Sequence, residues 1–297
     1  MIKLFNRQRI LLGLLQGFGG NVSNVNFQKY LFLFTQNCQS EPSYDFVPYK
    51  FGCFSFQSYA DKRKLVEKEL LTKDDNWVIA NDVNYVDQLP LGERSKINKF
   101  CKKYTGKNGK DLIREVYREF PYYAINSEIS EKLMSRQELD NIIQHFPTQR
   151  NSVLFTIGYE GSTLENYLNR LIKNNVKTLV DVRKNPLSRK YGFSKRTLSE
   201  TIRKLGMEYI HMPDLGIISE KRNNLKTQSD YNRLFDEYER TVLQQNETAL
   251  NRLLRLVEDD KRVAITCFEE KACMCHRGRV AKALKQSPNW NYGITHI

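Results

Sequence analysis

The sequence predicts two domains, a mainly α-helical one over residues 1–147 and an α/β one with a mostly parallel sheet over residues 151–297. Three observations lead to this prediction. The 297 residues exceed the length of a typical single domain. Residues 147–150 (PTQR) form a short polar linker between the halves. In the second half, apolar runs of strand length alternate with amphipathic segments of helix length, as in a parallel sheet covered by helices.

The first half begins with helical periodicity. Apolar residues recur at helical spacing from Ile2 to Phe18, and Gly19 and Gly20 end this segment. We expect further elements in chain order: a helix at 25–35, an extended segment at 44–49, a helix capped by Ser55 or Ser58 that runs to Leu71, a short strand at 77–80, and helices at 111–123 and 135–146, the last opened by a capping box at Ser135. The order helix, helix, helix, strand suits a winged helix, a helix-turn-helix variant often used on DNA.

The second half alternates strands and helices. We expect strands at 153–158, 177–182, 207–211 and 263–267, and helices at 164–173 (capped by Ser162), from Ser194, at 231–245, at 249–258 and from Val280. A loop is expected between the last strand and the last helix, and it contains Glu269, Glu270, Cys273, Cys275, His276, Arg277 and Arg279.

Polar, chemically capable side chains follow three of these strands. Because the carboxyl ends of parallel strands meet at one edge of a sheet, these groups are expected to converge on a site. The candidate catalytic residues at this edge are Tyr159, Glu160, Asp181, Cys267, Glu269, Cys275 and His276.

The chain is strongly basic, with 47 Lys and Arg against 34 Asp and Glu and a formal net charge of +13. Such an excess indicates a polyanionic partner, with simple surface solvation as the alternative. Two basic segments stand out, residues 96–110 with no acidic residue and residues 183–204 with only Glu200. The candidate phosphate- or nucleic-acid-binding residues are Arg183, Lys184, Arg189, Lys190, Lys195, Arg196, Arg277 and Arg279.

Five motifs in the second half resemble the domain-of-unknown-function family 488. They are TIGYEG at 156–161, LVDVR at 179–183 with Pro186, Ser188 and Arg189, FSK at 193–195, residues 206–216 with Leu215 and Gly216, and CFE at 267–269 with CHR at 275–277. The resemblance covers residues 152–285. It implies an α/β fold and a shared polar site, and it implies no particular reaction.

A second resemblance concerns the N-terminal half. Residues 26–32 (NFQKYLF) and 44–52 (YDFVPYKFG) are similar to the winged-helix modules of Panacea-type antitoxins. This resemblance implies a module that binds DNA or protein. The aromatic residues of this segment recur at helical or strand spacing, so we expect them to form core rather than a base-stacking platform; they are Phe27, Tyr30, Phe32, Phe34, Phe46 and Tyr49.

The chemistry of the edge stays open between three alternatives. Cys273 to Arg279 matches the C-x5-R loop of cysteine phosphatases, which suggests phosphatase or sulfurtransferase chemistry. Alternatively, the carboxylates and His276 perform acid–base chemistry on a nucleotide. The third alternative is a pocket that senses a nucleotide without turnover. Asp181–Arg183 and Glu269–Arg277 are also candidates for structural ion pairs.

We expect no metal and no cofactor, because Cys273 and Cys275 are one residue apart and no second pair has zinc-like spacing, although Cys273, Cys275 and His276 leave a metal open. No apolar run approaches the roughly 20 residues of a membrane span. The sequence therefore predicts a cytoplasmic, nucleic-acid-binding protein, with DNA preferred over RNA, that acts on or senses a nucleotide feature in genome maintenance or phage defence. The sequence also leaves open whether the protein binds a nucleotide, whether it forms a homodimer, and whether it is a regulator without enzymatic activity.

Overall fold

The computed structural model describes residues 3–218 and 227–297. Contacts between Cα atoms divide the chain into two compact units, residues 1–146 and residues 147–297. None of the helices in the described part is long and apolar enough to cross a membrane.

The N-terminal unit is mainly helical. Its elements, in chain order, are α1 (Asn6–Gly17), β1 (Asn21–Val22), α2 (Asn24–Cys38), β2 (Val47–Tyr49), β3 (Gly52–Phe54), α3 (Phe56–Glu67), β4 (Trp77–Val78), α4 (Leu91–Tyr104), α5 (Gly109–Glu119), a 3₁₀ turn (Pro121–Ala124), α6 (Ser130–Leu133) and α7 (Arg136–Ile143). The strands pair as two short antiparallel ribbons, β1 with β4 and β2 with β3.

Helix α2 lies in the core of this unit. Five of the six aromatic side chains expected to form core are buried, and the sixth, Tyr49, is partly buried. Ser55 caps α3, and Ser135 with Glu138 forms the expected capping box of α7. Helix α3 ends at Glu67 rather than at Leu71, because Glu69 takes a left-handed backbone conformation with a φ of 57°. A winged helix as such stays a prediction.

The C-terminal unit is the α/β domain expected from the sequence. Its elements are β5 (Val153–Gly158), α8 (Leu164–Lys173), β6 (Thr178–Asp181), α9 (Lys195–Lys204), β7 (Glu208–His211), a 3₁₀ turn (Pro213–Leu215), α10 (Gln228–Tyr238), a π-helical turn (Glu239–Leu243), α11 (Glu247–Asp260), β8 (Arg262–Cys267), a 3₁₀ turn (Ala272–Met274), α12 (His276–Lys285) and β9 (Gly293–His296).

The five strands of this unit form one parallel sheet in the order β7-β6-β8-β5-β9. All residues of β5, β6 and β8 are buried, as expected for central strands of a parallel sheet. The prediction of a mostly parallel α/β sheet is confirmed. The fifth strand, β9, was not predicted, because its four partly exposed residues form no apolar run and it is held by pairing with β5 at the sheet edge.

Two boundaries near the site were predicted wrongly. Thr163, not Ser162, caps α8, since its side chain accepts a hydrogen bond from the Asn166 amide. Helix α12 begins at His276 instead of Val280, so His276, Arg277 and Arg279 lie on the helix and not in the loop before it. Gly278 is helical, and a Cβ there would overlap the Ala272 carbonyl of the preceding 3₁₀ turn.

Candidate functional site

The candidate site lies at the carboxyl edge of the parallel sheet. The register pairs Gly158 at the end of β5 with Cys267 at the end of β8, and Asp181 at the end of β6 with Thr266. The residues that follow these strands are therefore neighbours, as the sequence argument expected.

Asp181 and Arg183 form a buried bidentate ion pair. Arg183 Nε lies 2.8 Å from Asp181 Oδ1, and Nη2 lies 2.5 Å from Oδ2. The remaining guanidinium nitrogen, Nη1, donates to the Tyr159 hydroxyl and to the Phe193 carbonyl. Asp181 also accepts a 2.6 Å hydrogen bond from the Tyr209 hydroxyl. Burial is the largest single influence and lowers the pKa of Arg183, but the hydrogen bonds and charges of Asp181 and Tyr159 together leave that pKa raised overall.

This network decides between two predicted roles for Arg183. Every nitrogen of its guanidinium is engaged by a protein group, and the side chain is only 6% exposed. The structural ion pair is what the geometry shows, and a phosphate-binding role is not supported. Asp181 is likewise saturated, so the pair fixes the β6–α9 connection rather than presenting a charge.

Tyr159 and Glu160 extend the edge from β5. The Tyr159 ring stacks on Phe193 with centroids 4.3 Å apart, and its backbone carbonyl accepts a hydrogen bond from Lys190 Nζ. Partial burial lowers the pKa of Lys190, an effect that Glu160 opposes. Exposed Glu160 accepts a hydrogen bond from the Glu270 amide. Lys190 and Glu160 thus brace the loops around the site.

A second polar group of the site joins the end of β8 to the start of α12. Cys267 Sγ lies 3.4 Å from His276 Nδ1 and 3.5 Å from Glu269 Oε2. The ligand-type atoms of Cys267, Cys275 and His276 all lie within 4.8 Å of one another. These three residues are buried, and Glu269 is half-buried. Cys273, which the sequence argument grouped with Cys275 and His276, is exposed and lies outside this group.

The tautomer of His276 follows from its second nitrogen. Nε2 lies 3.0 Å from the Val182 carbonyl oxygen, which can only accept a hydrogen bond. Nε2 therefore carries the proton in the neutral ring, and the lone pair of Nδ1 faces Cys267. A backbone carbonyl that orients an imidazole in this way fixes which nitrogen is offered to a partner.

The surroundings of the Cys275 thiol favour its neutral form. Burial, followed by the neighbouring Cys267 and Glu269, raises the pKa of Cys275 well above its ordinary value, and Arg277 offsets only part of this effect. A nucleophilic thiolate needs the opposite surroundings, a lowered pKa and access to substrate. This environment does not support the predicted phosphatase or sulfurtransferase chemistry through a nucleophilic cysteine.

The C-x5-R arrangement does not form a phosphate loop. Cys273 is exposed on the 3₁₀ turn, whereas Arg279 Nη1 lies 2.9 Å from Glu239 Oε1 and its guanidinium packs over the Phe235 ring. In a cysteine phosphatase the thiol and the arginine must face the same anion. Arg279 is thus an ion-pair partner of the π-helical turn.

Arg277 clamps the loop after β8. Its Nη1 and Nη2 donate to the backbone carbonyls of Glu269 and Glu270, so Arg277 contacts Glu269 through the main chain. The clamp holds the loop against the end of β5, where a Cβ on Gly158 would overlap the Glu269 carbonyl oxygen. Arg277 is 1% exposed, which places it inside the framework of the site rather than on a ligand-facing surface.

The other basic candidates remain near the surface. Lys195 Nζ lies 2.9 Å from His211 Nδ1, and exposed Arg196 pairs with Glu200 one helical turn away. Lys184 is partly buried and lines a cavity of about 210 Å³ beside Tyr238. Arg189 is exposed in the β6–α9 loop, which hydrogen bonds between Ser188 and Ser194 hold in place. Lys184 and Arg189 are the candidates best placed to meet an anion.

Sequence reasoning missed two side chains that complete the site. Tyr209, on β7, bonds Asp181, and Phe193 supplies both the ring beneath Tyr159 and a carbonyl for Arg183. The register of the two parallel strands aligns Leu179 on β6 with Tyr209 on β7, two residues before Asp181. From this position the long Tyr209 side chain reaches Asp181 with its hydroxyl. A prediction that β6 and β7 are neighbours was therefore the signal that could have identified Tyr209.

Comparison with known families finds one match. Residues 163–284 match the profile of the "Domain of unknown function DUF488", which confirms the resemblance noted for the second half over this range. Neither the curated proteins nor the solved structures give a significant match. The Panacea-like resemblance of the N-terminal half lies outside the matched residues and stays a prediction.

Proposed function

We propose that this protein, whose C-terminal unit carries a DUF488 domain, binds nucleic acid and prefers duplex DNA to RNA. We further propose that the carboxyl edge of its sheet acts on or senses a nucleotide feature. The observation that carries the proposal is a lysine face on α4. It consists of Lys96, Lys99, Lys102 and Lys103, and all four side chains are exposed.

The lysine face has the features of a backbone-binding surface. Lys96, Lys99 and Lys103 follow one another at i, i+3 and i+7, so they lie along one side of the helix. Among the described residues none of the four lysines forms an ion pair, whereas Lys107, just beyond the helix, pairs with Glu115. Lysines that carry no internal counter-charge are available to replace the counterions of a phosphate backbone.

The C-terminal unit supports the second half of the proposal. The first part of its basic segment, residues 183–195, follows β6 at the carboxyl edge of the sheet, where ligands of open α/β sheets bind. The buried Asp181–Arg183 pair holds the loop that presents Arg189 at this edge, whereas exposed Arg203 and Lys204 end α9 and lie toward the opposite edge of the sheet. At this edge, Lys184 and exposed Arg189 favour a phosphate-bearing ligand.

The test measures binding of the full chain to labelled duplex DNA across a salt series. In the variant Lys99→Gln/Lys102→Gln/Lys103→Gln we expect the slope of log K against log salt to flatten by about 2.7 if all three lysines contact phosphate. Affinity at 0.1 M salt should fall by roughly a hundredfold. Single-stranded DNA and RNA in the same series establish the preferred polymer.

The matched control is Lys64→Gln/Lys73→Gln/Lys132→Gln, which removes the same charge from exposed positions of the same unit away from α4. The control should bind DNA nearly as the unmodified protein does. Equal losses in both variants would show that net charge alone attracts DNA, and absence of binding by the unmodified chain at low salt would refute the proposal.

A further inference from the structure

The group formed by Cys267, Cys275 and His276 has a composition that the proposed function leaves unused. All three side chains are buried, at 0%, 1% and 0% exposure respectively. Two thiols and an imidazole are soft or borderline donors, the set that proteins use for Zn²⁺ and chemically similar ions.

The distances suit a tetrahedral ion. With metal–sulfur bonds of about 2.3 Å and metal–nitrogen bonds of about 2.0 Å, neighbouring ligand atoms lie roughly 3.5–3.8 Å apart. Cys267 Sγ and His276 Nδ1 are separated by 3.4 Å, and the three ligand-type atoms lie within 4.8 Å of one another. Small side-chain movements are enough to bring the atoms to ligand distance.

The orientation of His276 is a second and independent observation. A metal-binding histidine usually donates its other ring N–H to a carboxylate or a backbone carbonyl, which fixes the ring and raises its basicity. His276 makes this contact through Nε2 to the Val182 carbonyl, at 3.0 Å, so Nδ1 offers a lone pair toward the two sulfurs.

We propose that Cys267, Cys275 and His276 bind a divalent cation of the Zn²⁺ class, with the fourth position left to an oxygen ligand beside Glu269. Binding releases two thiol protons to solvent, forms two metal–sulfur bonds and one metal–nitrogen bond, and changes no oxidation state. The dipositive ion and two thiolates sum to zero charge, which suits a buried site because an uncompensated charge there is costly.

The three-ligand set also indicates the type of site. Structural zinc sites are closed by four protein ligands, whereas catalytic sites keep one position for water or substrate. Glu269 Oε2 lies 3.5 Å from Cys267 Sγ, and its half-buried side chain connects the group with solvent. Glu269 is thus placed to orient an oxygen bound at the open position. This inference is independent of the lysine face on α4.

The test uses reduced full-length protein titrated with Co²⁺. Thiolate–cobalt charge transfer in the near ultraviolet and intense visible bands of a tetrahedral complex are expected, saturating at about one ion per chain. Zn²⁺ should displace Co²⁺ and abolish the spectrum, because it binds such donor sets more tightly. A chain without charge-transfer bands would overturn the proposal whatever the variants show.

The variants Cys267→Ser and Cys275→Ser identify the ligands, and Cys273→Ser is the matched control in the same loop. Removing a ligand should weaken Co²⁺ binding by more than the roughly 10- to 100-fold typical of changes to a group that only orients a ligand. Cys273→Ser should keep the full spectrum. Circular dichroism shows whether each variant folds. If one ligand variant unfolds, the other decides, and equal loss in Cys273→Ser would assign the thiolate bands to a different site.

Discussion

At the scale of the residue, the Asp181–Arg183 pair has the largest expected effect on stability. Asp181 is fully buried and accepts hydrogen bonds from both Arg183 and Tyr209. Replacing Asp181 by Asn leaves Arg183 as a buried charge without its counter-charge. We expect the free energy of unfolding of the C-terminal unit to fall by about 3 to 5 kcal/mol.

Urea denaturation measures this loss when Trp290 fluorescence is followed in a Trp77→Phe background. The chain has 2 Trp, and Trp290 packs against the core of the C-terminal unit. Glu200→Gln is the matched control, since it removes a carboxylate from the exposed pair with Arg196 and should cost less than about 1 kcal/mol. Similar costs for both substitutions would mean that the buried pair contributes no more than a surface one.

The sequence was enough to predict which strand-end residues lie at the site, but it was not enough to predict which of them contact one another. Asp181, Cys267 and Glu269 were placed by the rule that ligand-binding groups follow parallel strands. The pairing of Cys267 with His276 depends on how the 3₁₀ turn folds back onto β8, and no periodicity encodes that path. The spacing argument therefore judged the Cys273–Cys275 pair, although Cys273 is exposed and buried Cys267 lies beside His276.

At the scale of the element, the end of β5 limits how the loop after β8 can lie. Gly158 closes β5, and a Cβ there would overlap the Glu269 carbonyl oxygen that Arg277 holds. Gly158→Ala must push this loop away from the sheet. We expect a loss of about 1 to 3 kcal/mol in unfolding free energy, as for other overpacked positions.

Gly293→Ala is the control for this change, because it also adds a methyl group to the sheet, and that methyl group meets only the Val153 side chain at 4.0 Å. It should shift the denaturation midpoint of the C-terminal unit little or not at all. A Gly158→Ala protein as stable as the Gly293→Ala protein would show that the loop moves without cost and that the clamp by Arg277 is weak.

The elements that sequence predicts well are those whose own residues bury a face. Strand β8 and helix α8 were placed within one residue, because continuous apolar runs and helical spacing mark them. Strand β9 was missed, since backbone pairing with β5 defines it. The start of α12 was missed because its first turn, His276 to Arg279, consists of polar residues and a glycine and so lacks the apolar spacing that marks the rest of the helix.

At the scale of the whole molecule, the formal net charge of +13 is shared by two units, each with its own basic segment. Net charge raises the rate and strength of nonspecific association with a polyanion, but only side chains at phosphates set the salt slope. Exposed Arg189, Arg203 and Lys204 give the C-terminal unit a set equal in charge to Lys99, Lys102 and Lys103 on α4.

Combining the two sets of substitutions asks whether one DNA molecule contacts both units. Arg189→Gln/Arg203→Gln/Lys204→Gln alone should flatten the salt slope by up to about 2.7, and the sixfold variant by up to about 5.4, because independent phosphate contacts add. The measurement is the same duplex-DNA salt series with the full chain. If the C-terminal substitutions leave the slope unchanged while those on α4 flatten it, only the N-terminal unit binds the DNA backbone. The substituted cations of the C-terminal unit would then take no part in holding the DNA backbone.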